Sequence, residues 1–159
     1  MQAKRPPYPR MLHRLAALLG VLLLLAACAL PFNEERRYLS MIVTHARSTA
    51  QILQELQTLT TQANLGDRVW ETNVNGQLAA LELQIAEIRT VTPPAQFASF
   101  HQRYLDTMNT LEQGISLYSQ AMALQNNQQL RDAFARIQQA QQTIDTMGQQ
   151  MQATMEASQ

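Results

Sequence analysis

The sequence predicts an all-α chain, an antiparallel up-down-up-down four-helix bundle behind an N-terminal signal segment. Three observations predict it. Beyond residue 33 the apolar residues recur in steps of three and four. The chain is punctuated at only three places, Asn64-Leu65-Gly66-Asp67, Thr92-Pro93-Pro94 and Asn126-Asn127. The intervening stretches are rich in Ala, Leu, Gln, Glu and Arg, which lose little rotamer freedom in a helix. No alternating strand pattern competes, and connections this short force neighbouring helices antiparallel.

The first element is the N-terminus. Lys4, Arg5, Arg10 and Arg14 stand there without an acid, followed by an apolar run from Leu15 to Leu25 and the small residues Ala26 and Ala27. Basic, apolar, then small is the layout of an export signal. Leu15 to Leu30 would make roughly 24 Å of helix at 1.5 Å per residue, short of the ~20 residues a membrane span needs. Residues 1–27 are therefore expected to be a signal peptide. The four residues Leu25-Ala26-Ala27-Cys28 resemble the lipobox of bacterial lipoproteins. That resemblance implies that Cys28 is lipidated, by palmitate-type acyl chains, and becomes the first residue of the mature chain. A single acyl chain binds a membrane marginally, whereas two or more hold durably. The rival reading, a cysteine inside an uncleaved signal anchor, also leaves the following domain outside the membrane. With Ala29 after the cysteine, the inner-membrane retention rule of some two-membrane bacteria does not apply, so an outer membrane is compatible where one exists. Residues 28–33 then form the anchor and a short linker. The five residues after Cys28 reach at most ~18 Å extended, which predicts a bundle held close to the lipid.

The helices follow at about 34–63, 68–91, 95–125 and 128–156. The first carries the stripe Tyr38, Ile42, His45, Thr49, Ile52, Leu56, Leu59 and Ala63, and opens on Glu34-Glu35-Arg36-Arg37, whose charges cancel. Asp67 is placed to cap the second, whose stripe is Trp70, Val74, Leu78, Leu81, Ile85, Ile88 and Val91. Trp70 is expected to plug the end of the core rather than to stand exposed for a partner. Thr92 leads into the third helix with proline in its first turn, and the stripe there is Phe97, His101, Tyr104, Met108, Leu111, Ile115, Tyr118 and Met122. Asn127 is expected to cap the fourth, which buries Leu130, Phe134, Ile137, Ile144, Met147, Met151 and Met155. The rival for the Asn126-Asn127 break is one unbroken helix pairing with another chain. The glutamines of "IQQAQQTIDTMGQQMQ" read as the solvated face of an ordered helix, because the apolar spacing continues through them. The stretch from Thr92 to Met108 also resembles a loose pattern in small bacterial helical lipoproteins of unassigned function: a double proline, then spaced apolar residues and an inward His or Tyr. That resemblance supports fold and compartment and carries over no activity.

Charge excludes one function class. Four of the 12 basic residues precede Cys28 and all 12 acids follow it, so the mature part holds eight arginines, no lysine, and a net charge near −4. An acidic domain with scattered arginines is a poor partner for a phosphate backbone, so no nucleic acid is expected. Lipidation of Cys28 leaves no thiol for a disulfide, and the 132 mature residues suffice for one core.

Enzyme motifs are absent. There is no phosphate-binding glycine loop, no Gly-x-Ser-x-Gly, no zinc-protease His-Glu pair and no Glu-x-x-His, so the chain is read as no enzyme and no resident cofactor is expected. One constellation stands out. In the predicted bundle His45 and His101 lie toward the same end, which also receives Met147, Met151 and Met155, with Met41 and Met108 nearby. Imidazole and thioether together suit Cu(I), so His45, His101, Met147 and Met151 are the candidate metal or ligand residues. Against that stands ordinary core packing, since methionine fills irregular gaps and a buried histidine bonds to a carbonyl or a tyrosine. The expected function is a membrane-anchored, extracytoplasmic binding or structural module of the cell envelope, which meets another envelope protein through its glutamine-rich faces. The alternative is a Cu(I)- or haem-type binding bundle.

Overall fold

A computed structural model describes the backbone of residues 9–157 and the side chains of residues 34–157. The side chains of the apolar run and of Cys28 therefore lie outside the described residues. Among those described there are four α-helices and no strand: α1 (Pro9–Thr61), α2 (Arg68–Arg89), α3 (Ala98–Ala123) and α4 (Asn127–Ala157), with a 3-10 turn at Ala95–Phe97. Among the residues whose side chains are described, 34–157, no helix is long and apolar enough to cross a membrane. The chain divides into two compact units, residues 1–37 and 38–159. The described core lies in the second.

The apolar stripes form one core, because each helix turns its three-and-four series inward. Trp70, Val74, Leu78, Leu81, Ile85 and Ile88 of α2 are all buried, as are Tyr104, Met108, Leu111, Ile115 and Tyr118 of α3 and Leu130, Ile137, Ile144, Met147 and Met151 of α4. In α1 the buried face is wider than the expected stripe and takes in Leu39, Val43, Ala46 and Leu53 as well. Cross-helix bonds give the register. From α1 to α2, His45 meets the Gln84 carbonyl, Glu55 meets Gln77, and the Leu59 carbonyl accepts from Trp70 Nε1 at 2.9 Å. From α1 to α3, Tyr38 meets His101, His45 meets Tyr104, and Thr60 meets Tyr118. From α3 to α4, Thr107 meets Met147, and the Tyr118 and Phe134 rings meet edge to face. Arg47 of α1 donates to Gln152 of α4. Trp70 is thus a core plug, its apolar body buried and its indole N–H satisfied.

The boundaries differ from expectation in every helix, and most in α1, which runs from Pro9 to Thr61 instead of over 34–63 and carries helix through the expected linker at 28–33. Asp67 caps α2 as the sequence predicts, accepting from the Val69 and Trp70 amides. The third helix begins as a 3-10 turn after Pro94, with the Phe97 amide bonding the Pro94 carbonyl at 2.8 Å and no side-chain cap. Helix α2 ends at Arg89, two residues early. The cap of α4 is Asn126, not Asn127: its Oδ1 accepts from the amides of Gln128 and Gln129, both at 3.0 Å. Helices α3 and α4 are therefore separate, which overturns the single unbroken helix. Gln125 adopts a positive φ of 49°, and the Asn126 amide reaches back to the Ala121 carbonyl while that of Gln125 bonds Met122. This pair of bonds is the Schellman closure that glycine usually serves. Gly114 of α3 lies against Ile137 of α4; a Cβ there would stand 2.8 Å from Ile137 Cγ1.

Candidate functional site

The sequence puts two polar rings on each of two apolar stripes, Tyr38 and His45 on α1 and His101 and Tyr104 on α3, and the fold joins them crosswise. His45 is 7% exposed and His101 4%. His45 Nε2 lies 2.9 Å from the Gln84 carbonyl of α2, and its Nδ1 lies 2.8 Å from the Tyr104 hydroxyl. A carbonyl only accepts, so the proton sits on Nε2. Nδ1 is then the acceptor, and Tyr104 donates to it. One neutral imidazole thereby ties α1, α2 and α3 together. Burial holds the His45 pKa below its usual value, against the opposing pull of the Gln84 carbonyl and then of the Glu87 carboxylate. Burial also pushes Tyr104 well above the ordinary phenol range, reinforced by Tyr38 and by Asp145 of α4.

The second pair is less complete. Tyr38 and His101 Nδ1 are 3.2 Å apart, and Tyr38 also stacks on Phe97 at 5.2 Å between ring centres. Burial raises Tyr38 to about 12. His101 Nε2 is, among the described residues, the one buried side-chain nitrogen or oxygen without a hydrogen-bond partner. The backbone of Val91 lies near enough to favour the charged ring, without hydrogen-bond geometry to Nε2. Burial outweighs it and lowers the His101 pKa. Either tautomer leaves Nε2 unsatisfied, a cost of about 1–3 kcal/mol for a buried polar atom.

Two grooves open near this network. Between α1 and α2 a cavity of about 400 Å³ is lined by Met41, His45, Glu87, Ile88 and Val91, among others. Between α3 and α4 a wider one of about 720 Å³ has Met147 at its base. No lining residue is common to the two. Of the sequence-derived candidates, His45 and His101 share one tyrosine-linked network. Met147 instead sits on the α3/α4 side, its sulfur 3.9 Å from Thr107 Oγ1, and Met151 is buried in the core. The residues that sequence reasoning left out of the site are Gln84, which acts through its backbone carbonyl, and Asp145, whose pKa burial raises. A backbone acceptor leaves no mark in a residue pattern, whereas Asp145 is legible as the one charge in a long uncharged stretch.

The geometry fits a metal poorly. A ligating nitrogen needs a free lone pair, and both of His45's are engaged, Nε2 by its proton and Nδ1 by Tyr104. Among the described residues no three His, Cys, Asp or Glu side chains come together in a way that could hold an ion. What the arrangement does is fix register: a misaligned α1 would leave an imidazole, a phenol and a carbonyl buried and unpaired.

No curated protein and no solved structure gives a match. A family model described as a family of unknown function, DUF6376, matches residues 38–156, three quarters of the chain and nearly all of its second compact unit. The chain therefore belongs to family DUF6376.

Proposed function

We propose that the protein is a lipoprotein of the cell envelope, held at the outer side of a membrane by an acylated Cys28, whose helical domain is a non-catalytic interaction module. The observation that carries the anchor is the run Leu25-Ala26-Ala27-Cys28 behind a basic, apolar segment too short to span. The domain is an up-down-up-down bundle in this reading. Supporting it, partner numbers rise on one helix as they fall on the other between α1 and α2 (45 with 84, 55 with 77, 59 with 70). They rise together between α1 and α3 (38 with 101, 45 with 104, 60 with 118), as diagonal helices of such a bundle must. Apart from His101 Nε2, the polar groups of the core bond within the domain, which favours a domain that works through its surface.

Cys28→Ala tests the anchor. The expected outcome is loss from the membrane fraction or accumulation of the unprocessed form, read by fractionation and by intact mass. Unchanged retention with unchanged mature mass would refute lipidation at this residue. A second reading, a soft-metal or small-ligand site at the His45/His101/Met end, has one observation in favour, the unpartnered Nε2 of His101. Cu(I) titration of the wild type and of the His45→Ala, His101→Ala double variant decides it: binding that the double variant loses supports the site.

A further inference from the structure

From residue 137 to residue 155 the chain carries a single ionisable group, Asp145, although most of these residues are exposed or half-buried. A solvated helix face is normally where charge concentrates, and depletion of charge marks surfaces that meet other protein. The α3/α4 groove lies on this face. The carboxamides of Gln139, Gln142 and Gln150 line it and have no partner among the described residues, while the neighbouring hydroxyls of Thr143 and Thr146 are returned to the backbone of their own helix. The charged residues on its rim are Arg103 and Asp106, less than one turn apart on α3.

We infer that this face is the contact of the interaction module proposed above, and that its partner is a second copy of the same chain. A two-fold contact must be self-complementary: where residue i meets j, j meets i. A carboxamide both donates and accepts, so a row of glutamines satisfies its own copy as a row of carboxylates or arginines does not. One arginine and one aspartate side by side obey the same rule, Arg103 of each copy meeting Asp106 of the other. A basic or acidic partner would find here no net charge to recognise. The Met147 side chain at the base of the groove supplies the apolar centre that such contacts place inside a polar rim.

The inference rests on the interaction-module reading, and the test separates the two. In the full chain, in its own membrane, Gln142 is replaced by a photoactivatable benzoyl-phenylalanine, with the exposed Glu82 of α2 replaced in the same way as control. Irradiation is expected to give, from position 142 alone, a product of twice the chain's mass containing only this sequence. Arg103→Asp should lower its yield about tenfold by placing like charges across the axis, and adding Asp106→Arg should restore it. Self-association is overturned by equal yield from both positions, by an Arg103→Asp effect that the second exchange does not reverse, or by an adduct to a different molecule, which leaves the interaction reading standing. Absence of any adduct at position 142 overturns this face as the contact and with it the self-association, while leaving the interaction reading standing for other faces.

Discussion

A proton added to His45 would turn two donors toward each other at Nδ1, where the neutral ring accepts from Tyr104. Burial lowers the folded pKa of both His45 and His101, while an unfolded histidine titrates near 6.5. The unfolded chain therefore takes up protons first. Their stabilising contribution is full above pH ~6.5 and is lost as pH falls below it, with a slope of at most about 1.4 kcal/mol per pH unit per histidine. Two groups temper this. Glu87 on α2 pulls the His45 pKa back upward, and Asp145 on α4, raised by burial, favours the folded state when protonated at still lower pH. The thermal midpoint should fall between pH 7 and pH 5, measured by circular dichroism. Replacing both histidines by glutamine should lower it at pH 7 and flatten its dependence on pH. A wild-type midpoint constant over that range would contradict buried neutral imidazoles.

Two glycines of the helices make opposite tests of packing. At Gly114 a Cβ meets Ile137 Cγ1 at 2.8 Å and the Ile137 backbone nitrogen at 3.4 Å, so Gly114→Ala must push α3 from α4 and should cost about 1–3 kcal/mol. At Gly76 a Cβ meets nothing within 4 Å, so Gly76→Ala should add about 0.5–1 kcal/mol of helix preference. Urea denaturation of the two variants gives both signs. Gln125 holds a left-handed conformation at the end of α3 that glycine adopts without strain, and Gln125→Gly should raise stability by about 0.5–1 kcal/mol on the same measurement. The elements show why some boundaries were legible and others not. The stripes of α2, α3 and α4 follow from helical periodicity, and Asp67 from the chemistry of capping. The cap at Asn126 was misplaced by one residue because glutamine gives no hint that it will take a positive φ. The 3-10 turn at residues 95–97, closed by the Phe97 amide on the Pro94 carbonyl, leaves no mark in the apolar spacing, which reads the same for a 3-10 and an α-helical first turn.

At the scale of the whole molecule, residues 38–159 form one compact unit with a single continuous core. Trp70 reports from beside the turn between α1 and α2, far along α1 from His45, so its fluorescence and the far-UV ellipticity should lose their native values at the same urea concentration. Separated transitions would mean that the two ends melt independently. The sequence brought His45 and His101 to one region, because stripe and register can be counted. It grouped them with Met147 and Met151 by level along the bundle alone, and level does not distinguish one groove from another around the axis. The tautomer of His45 was beyond sequence, since the group that fixes it is a carbonyl. That tautomer also has a clock in it. The hydroxyl proton of Tyr104, held by an imidazole nitrogen and hidden from water, should survive long enough to give its own downfield resonance. The speed with which deuterium replaces it would count how often α1 and α3 part.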